Sequence, residues 1–420
     1  MQYQTIDLAN QAVVDKIMKN QPFLIDVVPA KSVIPFLEGR ALLHSGPPNG
    51  WANMPDPVRG SCIGAALFEG WAQSEDEARA LFANDQVAFS PCHHNHAVGP
   101  MGGITSGNMP VLVVENKENG NRAYCSMNEG IGQVLRFGAF SQEVTDRLAW
   151  MRDTLGPALS RALQTMDQGM NLNVIIAKAI TMGDEFHQRN IAASALFLKD
   201  ILPALLAADL PEKDRKEVAV FLGDTDQFFL NIAMAAAKAS MDAAATVTEG
   251  SIVTVLSRNG YEFGIKVSGL GDRWFTGKVN TPEGLYFSGY SQEDASPDMG
   301  DSAILEAFGL GAMSMIAAPG VTRFVGAGGG HDDALAASEE MQEICIASNN
   351  NYSIPAWNFQ GSPLGIDIRK VVETGITPII NTGIAHKKAG VGQIGAGTVR
   401  VPMECFEKAL LALAETYGVQ

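Results

Sequence analysis

A chain of 420 residues exceeds what one hydrophobic core comfortably organises, so two or three domains are expected. Hydrophobic residues make up 46% and charged residues 18%, the balance of a folded protein and not of a disordered one. A formal net charge of -16 repels phosphate backbones and anionic lipids, which argues against nucleic-acid and membrane-surface roles. A small anionic substrate in a locally positive pocket stays open.

In chain order, residues 23–28 and 87–89 read as strands, and Ser74 with Glu77 forms a capping box opening a helix through Leu81. Residues 111–115 and 122–127 flank Asn119-Gly120, a hairpin turn signal. Only four glycines (Gly156, Gly169, Gly183, Gly223) fall between Gln142 and Glu249, and this middle third reads as helical. Val144, Leu148, Met151, Leu155, Leu159 and Leu163 repeat at helical spacing. Further helices are expected over about 184–206 and 226–245, the last apolar nearly all round and so expected at the centre of the molecule. Residues 252–258 and the alternating Tyr261, Phe263, Ile265 and Val267 predict a second hairpin about Asn259-Gly260, and 405–417 a closing helix. The expected fold is α/β (α+β), with two mixed lobes joined by a helical middle domain. The expected divisions are 1–140, 141–249 and 250–420.

Five cysteines without a CxxC pair suit reduced thiols in the cytoplasm. The opening residues 1–7 lack the basic and apolar segments of a signal peptide, and no run of about 20 apolar residues occurs.

Five segments carry polar chemistry. The first, PCHHNH at 91–96 followed by GPMGG at 99–103, holds three of the seven histidines. Imidazole and thiolate suit zinc, but adjacent His93 and His94 on an extended segment point opposite ways, so no metal site is assigned. The preferred reading is anion binding by His93, His94 and His96 with backbone N–H groups at Gly102 and Gly103. The second, Asn128-Glu129-Gly130-Ile131-Gly132, ends a strand before a helix-like stretch at 133–140, where an N-terminus would attract anions or Glu129 would simply cap it. The third, GDEFHQRN at 183–190, reads as a buried polar network between domains, with Glu185 and Arg189 spaced to pair on a helix. The fourth offers Arg258 and Arg273, whose forks suit carboxylate or phosphate. The fifth, around Asn381, Thr382, His386 and Lys387, contains a literal GxGxxG at Gly390, Gly392 and Gly395. Its context is wrong for a dinucleotide fingerprint, and anion binding beside the lysines is preferred. No P-loop and no GxSxG elbow is present, and the GAGGGHDD run at 326–333 is left open.

Eight blocks together resemble one family: LHSGPP at 43–48, PCHH at 91–94, AVGPMGG at 97–103, AYCSMNEG at 123–130, MGDEFHQRN at 182–190, VSGLG at 267–271, PDMGDS at 297–302 and INTGIAHK at 380–387. The chain is similar over residues 12–417 to the YlbE-like family, and within it to the type of subunit found in oxamate carbamoyltransferase. The resemblance implies conversion of oxalurate and phosphate to oxamate and carbamoyl phosphate in anaerobic allantoin and purine catabolism. It implies two other subunits, one with an acyl-CoA-synthetase-like fold, and leaves room for a homodimer of the isolated chain. Phosphate and carbamoyl phosphate enter as substrates, no cofactor is expected, and a metal requirement is left open. The resemblance carries no catalytic residues. From chemistry alone, His94, Glu129 and His386 are expected to move protons. His93, His96, Gly102, Gly103, Asn128, Arg258, Arg273, Asn381, Thr382 and Lys387 are expected to bind the anions, in one cleft between the outer lobes. The rival expectations are a scaffold that only docks the synthetase-like partner and, third, a metal amidohydrolase.

Overall fold

The computed structural model describes residues 4–130 and 132–418, so Ile131 of the second motif and the first three residues of the opening segment lie outside the described residues. Among these residues the chain is a mixed α/β protein whose strands form five sheets. The hairpin expected about Asn119-Gly120 is present as Pro110–Asn116 and Asn121–Ser126. It joins Pro22–Pro29 and two short edge strands in a five-stranded sheet. The hairpin about Asn259-Gly260, Val253–Asn259 with Glu262–Val267, lies at the middle of a four-stranded sheet. The Asn259 side chain accepts from the N–H groups of Tyr261 and Glu262, which fixes that turn.

Helix Phe228–Ala244 lies at the centre, as its all-round apolar character requires. It packs against the hairpin of the five-stranded sheet on one side and against strand Val253–Asn259 on another. Its alanines let both backbones approach closely. Two polar stretches interrupt it: Asn231, which donates to Ser126 O at 2.6 Å, and the Lys238–Asp242 pair at 2.6 Å. At 1.5 Å per residue these lie about 10 Å apart along the axis, and the second lines a polar cavity.

Two expected helices are corrected. Residues 184–190 are not helical, and the helix there is Ile191–Ala207. The Glu185 carboxylate instead accepts from the backbone N–H groups of His187, Gln188 and Arg189, which fixes a loop, while Asp184 accepts from Ala193 N inside the helix. Arg189 therefore reaches Asp184 with its side chain, at 3.4 Å, and not Glu185. Residues 133–140 also fail to form a helix. Glu129 takes the N–H groups of Leu135 and Arg136, one short turn forms at Leu135–Phe137, and Gly138 (φ 86) ends it in the left-handed region. The helix N-terminus expected to hold an anion behind Gly130 is thus absent.

Most other expectations hold. Residues 142–164 are helical throughout, with a π-turn at Met151–Leu155 that keeps the stripe from Val144 to Leu163 buried. Ser74 caps Glu75–Ala83 by accepting from Glu77 N, but the Glu77 carboxylate accepts from Gln73 N and not from Ser74 N, so the expected capping box is only half formed; Met403–Tyr417 closes the chain. The GxGxxG lies in the hairpin joining Ile379–Ala385 to Gln393–Arg400, and its last glycine belongs to a strand instead of opening a helix. All five cysteines are free and buried, and burial pushes the Cys92 thiol well up, so it is not a ready nucleophile.

Candidate functional site

The expected site residues do not line one cavity. Nine of the thirteen divide among four places. His93, His94 and His96 line a cavity of about 500 Å³ with Lys238, Asp242, Lys266 and Asp272. Asn128 lines a separate cleft. Arg258, Asn381 and Thr382 are buried in a polar network. His386 and Lys387 lie at a hairpin tip, where Tyr290 packs edge-on against His386 and Lys387 donates to Glu293 O at 2.5 Å.

Several of these side chains are fully engaged by the protein itself. Arg258 has no exposed surface: its Nε donates to Asp298 at 2.6 Å, Nη1 to Gly300 O, and Nη2 to Thr382 Oγ1. The expectation that it reads an anion from solvent is corrected, because no donor faces outward. Thr382 in turn donates to Asp298 at 2.8 Å, and Asn381 to Glu185 at 2.9 Å. Glu129 is a cap for the 135–136 turn. Arg273 packs its guanidinium over Phe275 at 5.1 Å. Gly102 donates to Arg136 O, and Gly103 (φ 66) is pressed so near Ser45 that a Cβ would lie 2.6 Å from its nitrogen. These glycines are there for close packing, not as an open cradle.

The cleft is assembled from distant segments. A cavity of about 200 Å³ is lined by Pro100, Met101, Asn128, Arg136, His187, Gln188, Gln227, Ser302, Gly383 and Gln393, among others. It adjoins one of about 520 Å³ that shares Asn128, Arg136, Phe137, Gln227, Phe287 and Gln393. Five of the eight sequence blocks that carry the family resemblance therefore meet here: 97–103, 123–130, 182–190, 297–302 and 380–387.

Two side chains give the cleft its chemistry. Arg136 extends from the 135–137 turn and donates through Nη2 to Gly130 O at 2.9 Å, while its Nη1 is buried and makes no hydrogen bond among the described residues. Its nearest carboxylate, Glu129, is 3.9 Å from Nη1 and already holds two backbone amides. Burial and, after the attraction of Glu129, the neighbouring Arg147 lower the Arg136 pKa, so an incoming carboxylate would be welcome. His187 is the second. Its Nδ1 lies 2.6 Å from Glu306 Oε1, and Nε2 has no partner among the described residues and remains for the cleft. Glu306 is fully buried and also accepts from Ala312 N and Asn381 N. A carboxylate on Nδ1 fixes ring and tautomer, which is what a proton-transferring histidine requires.

The chain matches the family model described as "Oxamate carbamoyltransferase subunit AllG" over residues 87–302. It is 59% identical over 418 residues to the oxamate carbamoyltransferase subunit AllG of Escherichia coli (strain K12), covering 99% of this chain and 100% of that one. The chain belongs to the AllG family. An uncharacterized protein of the same organism, YahG, is 43% identical, covering 99% of this chain and 87% of its own length. A crystal structure of a conserved protein of unknown function from Enterococcus faecalis V583 superimposes with a TM-score of 0.96 at 44% identity, covering 99% of both chains. The AllG homologue thus shares its fold along its whole length with a crystallised relative.

The histidine loop is the other polar region. His93 is buried with Nε2 3.3 Å from Asp301, His94 accepts from the Trp274 indole N–H at 2.8 Å, and His96 lies 2.9 Å from Asp242. The three rings face three different partners, and among the described residues no group of three or more His, Cys, Asp or Glu side chains is arranged to hold a metal. The Asp242 hydrogen bond raises the His96 pKa above the ordinary histidine value, against a smaller opposing effect of burial. The attraction is therefore fully present below that ordinary value and fades as pH rises through the raised one. In a histidine NMR titration, Asp242→Asn is expected to move the His96 midpoint down, and an unchanged midpoint would discount the pair.

Sequence reasoning missed Arg136, Gln227 and Gln393, and weighed His187 only as part of a network. Lys238 had a legible signal: a lone lysine in an alanine- and methionine-rich helix, with an aspartate four residues on.

Proposed function

We propose that this AllG homologue acts as a subunit of an oxamate carbamoyltransferase and that the cleft at Arg136 and His187 is its oxalurate site. The observation that carries the reading is the convergence of five family blocks on one cleft holding an arginine with a free donor beside a carboxylate-oriented histidine. Arg136 Nη1 takes the planar oxamate-end carboxylate, for which a guanidinium fork is suited. Gln188 offers its amide to the ureido group, while Gln227 and Gln393, whose Nε2 atoms donate to Gln188 O and Gly395 O, shape the wall beside it. A hydrogen phosphate oxygen then attacks the carbamoyl carbon, the bond from that carbon to the oxamate nitrogen breaks, and carbamoyl phosphate forms. The phosphate proton ends on the departing nitrogen, and His187 Nε2 carries it between the two while Glu306 stabilises the imidazolium. Charges and atoms balance without a redox group.

The assembled enzyme would include two other subunits, one acyl-CoA-synthetase-like, so turnover is expected only in the mixture. The test is phosphate-dependent cleavage of oxalurate, read as carbamoyl phosphate, with this chain alone and with its partners. In the assembled enzyme Arg136→Met is expected to raise KM for oxalurate by about 10- to 100-fold, the value of a charge-assisted hydrogen bond. Unchanged kinetics in this variant, with the complex still forming, would favour the scaffold role instead.

A further inference from the structure

We propose that the cavity behind the histidine loop is a second anion site, specific for a phosphate-type oxyanion and distinct from the oxalurate cleft. It shares no lining residue with that cleft. Two ammonium groups supply the charge. Lys238 is 2% exposed on the central helix, and its Nζ contacts Asp242 at 2.6 Å. Lys266, on strand Glu262–Val267, is 6% exposed, and its Nζ contacts Asp272 at 2.8 Å.

The second pair is unequal. A buried ammonium needs a partner, because desolvation of an isolated charge is costly. Yet the Asp272 side chain is 98% exposed and sits in a surface loop just after Gly271. Such a carboxylate has water as its alternative partner and can be displaced at little cost. An oxyanion would take its seat at Lys266 with Lys238 beside it, against the opposing charge of Asp242, which lines the same cavity and holds both Lys238 and His96. Among the described residues no arginine lines the cavity. Lysines act as point charges and bind a phosphate-type oxyanion without requiring the planar geometry of a guanidinium fork.

A buried path joins them. Asp301 accepts from Gly99 N at 2.9 Å and Gly46 N at 3.0 Å, bonds Ser257, and lies 3.3 Å from His93 of the oxyanion cavity. Its neighbour Ser302 and the residues after Gly99, Pro100 and Met101, line the oxalurate cleft. Phosphate at the second site is therefore placed to bias the walls of the first.

The test is a titration of the full chain with inorganic phosphate, followed on the ring resonances of its histidines. His94 and His96 are expected to shift saturably. Lys266→Met should weaken that response about tenfold or more. Asp272→Asn should tighten it severalfold, an effect that a merely structural aspartate would not produce. Arg136→Met should leave it unchanged. Unmoved His94 and His96, equal affinity in Lys266→Met, or weaker binding in Asp272→Asn would overturn the proposal, as would loss of the response in Arg136→Met. If Lys266→Met does not fold, Asp272→Asn, which alters only an exposed side chain, decides alone.

Discussion

Replacement of His187 by glutamine is expected to lower kcat for carbamoyl phosphate formation by about 10²- to 10⁴-fold, the range typical of a lost general acid–base group. KM for oxalurate should stay near its original value, because Arg136 and the Gln188 amide still hold the substrate. That split separates the roles: Arg136→Met moves KM, His187→Gln moves kcat. Glutamine is chosen because it can keep a hydrogen bond to Glu306 and leaves the loop held by Glu185 in place. Glu306→Gln tests the orienting partner. It preserves an acceptor for Ala312 N and Asn381 N but removes the charge facing the imidazolium. Its kcat should fall by about 10- to 100-fold, as when an outer partner of a functional histidine is removed. A His187→Gln enzyme with intact kcat in the assembled complex would remove this histidine from the mechanism.

His187 shows where the sequence is legible: its segment GDEFHQRN is rich in polar groups and belongs to one of the blocks that carry the family resemblance. The misassignment was of helix, because the pattern from 184 to 206 runs on into a genuine helix at Ile191. What decides otherwise is one side chain, Glu185, capturing three successive amides, and no periodicity reports that. Its partner Glu306 is 119 residues away, and only the fold brings the two together. The elements themselves were easier. Both hairpins carry Asn-Gly turns, and the central helix is apolar all round, so local chemistry suffices for each. Helices such as Asp56–Phe68 and Leu172–Thr181 escaped because small or apolar residues leave them little polar contrast.

Arg258 illustrates the converse, a residue whose type suggests a ligand while its burial assigns it to the scaffold. Asp298→Ala is expected to destabilise the protein by about 3–5 kcal/mol, measured by chemical denaturation, because it strands a guanidinium with no exposed surface. The cost extends beyond one pair. Asp298 also accepts from Thr382 Oγ1 and Met299 N, and Arg258 donates to Gly300 O and, at 3.3 Å, to Ser302 Oγ. Three segments are tied together: strand Val253–Asn259, residues 298–302 and strand Ile379–Ala385. The latter two deliver Ser302 and Gly383 to the cleft lined by Arg136 and His187. Arg258→Met alone leaves Asp298 with two donors and should cost less than Asp298→Ala. The double variant Arg258→Met with Asp298→Leu should cost less than the sum of its parts, since neither charge then remains unpaired. A loss below about 1 kcal/mol in Asp298→Ala would mean that the guanidinium finds another partner and that this network does not hold the cleft walls.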